Sequence, residues 1–218
     1  MFIKICGITG VSDARMVAAA GASAIGLNFF PPSPRSVSIS TAQEIVQNLP
    51  PYVTAVGLFV NSTSAEIRQV ADAVGLRTLQ IHGNCTPELV AELREFTVVA
   101  AFSLSEQSGA AAVFDLIAAC QRLGRMPGAV MVDAYSQDKF GGTGQVAPWQ
   151  AGQEIVQKSP VPVLLAGGLT PKNVAQAIRT VRPWGVDVAT GVEVAPGRKE
   201  SYKVKRFIEE ATSAFRLL

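Results

Sequence analysis

Charge, histidine, paired cysteines and long apolar runs are all scarce in this chain, and each scarcity removes a class of function. Only 17% of the 218 residues are charged, and 19 Lys and Arg against 17 Asp and Glu leave a net charge of +2. The densest basic stretch, Lys199 to Arg206, is interrupted by Glu200 and Ser201. It reads as the wet face of a last helix, so no nucleic-acid partner is expected. No apolar run reaches the ~20 residues of a membrane span. Lys4 interrupts the short apolar start where the core of a signal peptide would lie, so no membrane partner is expected either. The three cysteines, Cys6, Cys85 and Cys120, are odd in number and far apart, with no CxxC. That argues against a disulfide framework and for a reducing, cytoplasmic setting. With His82 as the single histidine, no metal site is expected. Glycine-rich dinucleotide spacing is missing too: Cys6-Gly7-Ile8-Thr9-Gly10 is not GxGxxG.

Apolar, β-branched residues, by contrast, are plentiful, within a hydrophobic fraction of 48%. They fall in short runs at 2–6, 24–29, 54–60, 78–81, 97–102, 129–133, 161–165 and 185–189. Helical patterns alternate with them at 12–20, 41–48, 64–74, 87–95, 109–123, 148–157, 171–180 and 199–214. No composition break divides the series, so residues 1–218 are expected to form one domain. Strands joined by helices run parallel, and strands this apolar are covered on both faces. Thr63 and Glu66 form a candidate capping box. Thr86-Pro87 and Thr170-Pro171 each place a capping hydroxyl before a proline at the first helical position. Gly21, Gly75 and Gly124 stand where helices should end.

Eight βα units in this length predict a (β/α)8 TIM barrel, α/β in class, with an eight-stranded parallel sheet. An open doubly wound sheet is the alternative, but it usually carries the glycine-rich turn that is missing here. A barrel places its chemistry at the C-terminal ends of its strands and phosphate after strands seven and eight. Strand one ends on Cys6, beside Gly7. A thiol there can be a base or nucleophile, or simply a small buried apolar group. Strand two runs into Phe30-Pro31-Pro32-Ser33-Pro34-Arg35. Three prolines stiffen the approach to a guanidinium fork, which suits a carboxylate of a ligand or of a neighbouring acid. Phe59 of strand three is a pocket or a core residue. His82 ends strand four, where it can touch a substrate or serve as a hydrogen-bonded structural residue. Asp133 closes strand six. Partial desolvation there favours the protonated form that a general acid needs. Gly167-Gly168 and Thr190-Gly191 follow strands seven and eight, and paired glycine turns with nearby helix starts suit a phosphate.

Taken together, Lys4-Ile5-Cys6-Gly7-Ile8-Thr9, Phe30-Pro31-Pro32-Ser33-Pro34-Arg35, Gln80-Ile81-His82-Gly83, Asp133 with Gly141-Gly142-Thr143-Gly144, Leu165-Ala166-Gly167-Gly168-Leu169 and Gly191-Val192-Glu193 resemble the phosphoribosylanthranilate isomerases of tryptophan biosynthesis. The resemblance runs end to end. It implies a barrel that needs no cofactor and that converts N-(5-phosphoribosyl)anthranilate by an Amadori rearrangement. By the same resemblance Cys6 is the general base and Asp133 the general acid. Arg35 binds the anthranilate, the loops at Gly167, Gly168, Thr190 and Gly191 bind the phosphate, and His82 and Asp187 lie at the site. The family's Ser-Ser-Gly after strand eight reads Ala189-Thr190-Gly191 here, which keeps a backbone contact and leaves any hydroxyl contact to Thr190. The partner is then a small phosphorylated molecule, with a monomer as the default state and a homodimer as the alternative.

Strand alternation puts Lys4 on the same barrel-interior face as Cys6, and Asp187 lies on the strand that closes against strand one. A buried Lys4–Asp187 pair below the thiol follows as an expectation, against the competing view that Asp187 points to the substrate. Two other functional readings remain. The histidine-pathway Amadori isomerase shares fold and reaction but typically uses two aspartates and a substrate with two phosphates. A non-catalytic barrel that only binds a phosphorylated ligand needs neither Cys6 nor Asp133.

Overall fold

The computed structural model describes residues 1–104, 110–133 and 147–218. The loop after Asp133 and the motif Gly141-Gly142-Thr143-Gly144 lie outside them. Eight strands, β1 (Phe2–Cys6), β2 (Ala24–Asn28), β3 (Thr54–Val60), β4 (Thr78–His82), β5 (Thr97–Ser103), β6 (Ala129–Asp133), β7 (Val163–Ala166) and β8 (Gly185–Val188), close into a barrel in chain order. Every neighbouring pair is parallel, and β8 returns to β1 with Lys4 opposite Asp187. The expected (β/α)8 architecture is therefore the observed one. Helices α1 (Val11–Ala19), α2 (Ile39–Gln47), α3 (Ser64–Val74), α4 (Pro87–Glu92), α5 (Ala111–Arg122), α6 (Ala147–Lys158), α7 (Val174–Val181) and α8 (Ser201–Phe215) lie between and after the strands.

The period-two pattern of the strands divides the core in two. Ile3, Ile5, Ile25, Leu27, Leu79, Ile81, Val130, Val132, Leu165, Val186 and Val188 point outward and pack under the helices. Val99, Ala101, Ala129, Met131, Leu164 and Ala166 point inward and form a smaller interior cluster, joined by Phe2. Phe59 belongs to the outer core, where its ring stacks on Phe29 at 5.3 Å, so it is a packing residue. Cys120 is buried in the outer core, and Cys85 is half-buried against it.

Local chemistry sets the helix ends. Thr63 and Glu66 make both bonds of the capping box, and such an N-cap is worth about 1 kcal/mol. Thr86 caps α4 with Pro87 at its first position. Gly75 ends α3 in the left-handed region, where a side chain would be strained. Two expectations need correction. The seventh helix starts at Val174, not at residue 171, because Thr170 and Asn173 bond to each other's turn instead: Asn173 Oδ1 accepts from the Thr170 N–H at 2.7 Å. The last helix starts at Ser201, because Glu193–Ala195 (β9) and Arg198–Lys199 (β10) form a small antiparallel hairpin after a 3-10 turn at Thr190–Val192. Short strands of three and two residues leave no readable alternation in sequence.

Candidate active site

Cys6 is 7% exposed at the tip of β1. Beneath it the Lys4 ammonium donates to Asp187 Oδ1 at 2.9 Å, and Lys4 itself is 1% exposed. The expected pair thus forms, and Asp187 also lines the open pocket above, so its two proposed orientations are compatible. Burial alone would pull the Lys4 ammonium down, but Asp187 and Cys6 beside it more than compensate and its pKa is raised. Burial pushes the Cys6 thiol up; Lys4 pulls it back in part, and Asp187 adds to the upward push. The thiol has this room because β2 offers Gly26 beside it. A Cβ there would come within 2.6 Å of Sγ and 3.1 Å of Lys4 Nζ.

Asp133, at the tip of β6, faces the same pocket, a cavity of about 540 Å³ lined also by Ala166, Gly167, Gly168, Leu169, Asp187, Val188, Ala189 and Thr190. Gly167 and Gly168 both have positive φ, at 91° and 60°, which favours glycine. Among the described residues their N–H groups make no backbone hydrogen bond. Asn173 holds this turn from outside, donating from Nδ2 to the Gly168 carbonyl at 3.0 Å. Gly191 does not line the cavity. It lets the β8 turn press against the β7 turn, since a Cβ there would meet the Leu169 carbonyl oxygen at 1.9 Å. It lines the adjoining surface cleft with Thr170, Lys203 and Arg206.

Arg35 reaches the β1 end of the barrel. Its Cδ lies 2.5 Å from where a Cβ on Gly7 would sit, and Gly7 has a positive φ, so glycine is required there on both counts. The guanidinium grips Glu193 side-on, with Nε donating to Oε1 at 2.9 Å and Nη2 to Oε2 at 2.7 Å. His82 ends β4, with its Nε2 2.6 Å from Nε2 of the buried Gln80. Burial, with Lys4 nearby, holds its imidazole below the ordinary range and hence neutral.

Of the residues singled out in sequence, Asp133, Asp187, Gly167, Gly168 and Thr190 line one cavity, Cys6 lies beside the Lys4–Asp187 pair, and Arg35, His82 and Gly191 are not among the residues lining that cavity. Sequence reasoning missed the roles of Glu193 and Lys199. Lys199 was expected on the wet face of a helix, but its side chain is fully buried and donates to Glu193 Oε1 at 2.6 Å. The signal that pointed to Glu193 was its place directly after the β8 glycine turn. Lys199 gave none, because a buried lysine and a solvated one look alike in sequence.

Comparison with known proteins agrees with this geometry. The family model described as N-(5'phosphoribosyl)anthranilate (PRA) isomerase matches residues 3–210. The N-(5'-phosphoribosyl)anthranilate isomerase of Acinetobacter calcoaceticus is 43% identical over 206 residues, 94% of this chain and 94% of that protein. The crystal structure of phosphoribosyl anthranilate isomerase from Thermotoga maritima superposes with a TM-score of 0.83 at 34% identity, covering 98% of this chain and 99% of that one. A further phosphoribosyl anthranilate isomerase structure, in complex with reduced 1-(o-carboxyphenylamino)-1-deoxyribulose 5-phosphate, has a TM-score of 0.81 at 33% identity, over 98% of this chain and 99% of that chain. With the family model spanning nearly the whole chain, on a closed barrel whose strand ends gather a thiol, two aspartates and paired glycine turns, this chain belongs to the N-(5'-phosphoribosyl)anthranilate isomerase family.

Proposed function

We propose that the chain converts N-(5'-phosphoribosyl)anthranilate to 1-(2-carboxyphenylamino)-1-deoxyribulose 5-phosphate, an Amadori rearrangement in tryptophan biosynthesis. The observation that carries this is the cavity that Asp133 and Asp187 line together with the glycine turn after β7 and the turn after β8, with Lys4 between Asp187 and the thiol of Cys6. A relative of the same fold holds a reduced form of that product. The phosphate lies against the N–H groups of Gly167 and Gly168, with Thr190 of the facing turn, which Gly191 keeps close. Arg35 takes the anthranilate carboxylate.

The chemistry is two proton transfers. Asp133, protonated, gives its proton to the furanose ring oxygen; the C1′–O bond breaks and the anthranilate nitrogen lone pair forms an iminium. Cys6 as thiolate then removes the C2′ proton, leaving an enolamine that tautomerises to the ketone. Each transfer by a placed group contributes about 10²–10⁴-fold. His82, held neutral, borders the anthranilate end as a hydrogen-bonding group. Incubating the protein with phosphoribosylanthranilate and following loss of its fluorescence tests the activity; no loss above the uncatalysed rate overturns the proposal.

The charges around Cys6 predict a pH profile. The base works as thiolate while Asp133 works protonated, so kcat/KM of the free enzyme follows the product of the two forms; burial raises the thiol, which places the limb that depends on Cys6 above the ordinary thiol value of about 8.5. Asp187→Asn removes an anion that pushes the thiol up, so the limb should move to lower pH. Lys4→Met removes the cation that pulls it down, so the limb should move to higher pH. Lys4→Met also strands Asp187, whose side chain is 9% exposed, and breaking a buried pair from one side costs about 3–5 kcal/mol. Denaturant titration of the two variants reads the second effect. Limbs that do not move in opposite directions would refute the proposed charge relation.

A further inference from the structure

Glu193 is a buried carboxylate with more donors than a single ion pair needs. Its side chain is 4% exposed, yet it takes two bonds from Arg35, one from Lys199 Nζ at 2.6 Å and one from the Gly197 N–H at 3.3 Å. The β9–β10 hairpin builds this arrangement, because its register sets Lys199 opposite Glu193 and its turn brings back Gly197. Burial pushes the Glu193 carboxyl up, but the bonds from Arg35 and Lys199 outweigh it and hold the group below the usual carboxylate range. It is an anion between two cations, and the cluster of Arg35, Glu193 and Lys199 carries one net positive charge.

The way Glu193 holds Arg35 matters. A guanidinium has a side edge, Nε with one Nη, and an end edge, Nη1 with Nη2. Glu193 occupies the side edge. Among the described residues Nη1 has no partner, and the end edge remains for a second carboxylate in bidentate geometry. Gly7 lets the Arg35 stem lie against the tip of β1, next to the thiol. Without Lys199, Glu193 would cancel the charge of Arg35 and weaken its pull on an anion; with Lys199, the pull is restored.

We propose that Glu193 is a specificity-determining positioning residue, which locks Arg35 so that its free edge meets the carboxylate of the arylamine, with Lys199 holding the site cationic. The inference rests on the reading of Arg35 as the carboxylate-binding group. Preorganising the fork removes the ordering cost that Arg35 would otherwise meet on binding. The device selects for an aryl group that bears a carboxylate and acts on binding, not on proton transfer.

The test compares two substrates, N-(5'-phosphoribosyl)anthranilate and the aniline analogue that lacks the carboxylate, and reads the ratio of their kcat/KM values. Wild type should prefer the carboxylate. Arg35→Met should abolish the preference, and Glu193→Asp, which keeps the charge but draws it one methylene away from Arg35, should cut it about tenfold, the size of one charge-assisted hydrogen bond, with the loss in KM rather than kcat. If Glu193→Asp does not fold, Glu193→Gln removes the side-on grip together with the anion; the cluster then gains one positive charge, so a loss of preference in that variant comes from the unlocked fork. Preserved preference in the folded Glu193 variant, with preference lost in Arg35→Met, overturns the role of Glu193 and leaves that of Arg35. Preserved preference in Arg35→Met overturns the reading of Arg35 itself, and the inference with it.

Discussion

Cys6→Ser should lower kcat by about 10²–10⁴-fold, the contribution of a placed acid–base group, while KM stays near the wild-type value. The substitution is almost isosteric and leaves Lys4, Asp187 and Gly26 in place around the new hydroxyl. What it removes is the anion. A serine hydroxyl beside a lysine stays protonated at any pH the protein tolerates, so no base faces C2′. The groups assigned to binding lie elsewhere: the phosphate at Gly167, Gly168 and Thr190, and the carboxylate at Arg35. Fluorescence assays across a substrate series separate kcat from KM. A loss confined to KM would show that the thiol only shapes the pocket.

Asp133→Asn should have an effect of the same size, again about 10²–10⁴-fold in kcat, for a different reason. The amide keeps the shape and the backbone pairing of β6 with Ser103 and Ala166. It has no acidic proton to give, so the ring oxygen must leave as an unassisted alkoxide. The block then falls on ring opening, before Cys6 has anything to deprotonate. Circular dichroism of the variant should match wild type, because the strand that carries residue 133 is untouched. Near-normal turnover would remove Asp133 from the mechanism.

Much of this architecture is legible in the sequence. The eight strands needed only their apolar runs, because a parallel barrel buries both faces of each strand and leaves no polar stripe to confuse the reading. The pairing of Lys4 with Asp187, 183 residues apart, was readable because closure of the barrel sets β8 against β1 and alternation then fixes the side of each residue. Lys199 shows where that logic stops. It lies in a hairpin of two very short strands, where no alternation can develop, and the partner Glu193, with the Ala189 carbonyl, makes its burial tolerable. The start of the seventh helix was misread for a related reason. Thr170-Pro171 is a sound capping pattern, but Asn173 offers a competing turn that ties the chain to Gly168 and so holds the turn after β7 instead of the helix start. The role of Gly191 was also only partly visible: a glycine needed to meet a phosphate and one needed to let two turns touch look the same in sequence.

The central claim is that Asp133 and Cys6 act in sequence, the acid on the ring oxygen and the thiolate on C2′. A primary isotope effect with substrate deuterated at C2′ tests it most directly. In Cys6→Ser, proton removal limits the rate and a several-fold effect is predicted; in Asp133→Asn, ring opening limits it and the effect should fall close to unity. An effect near unity in Cys6→Ser, or a full effect in Asp133→Asn, would contradict the assignment.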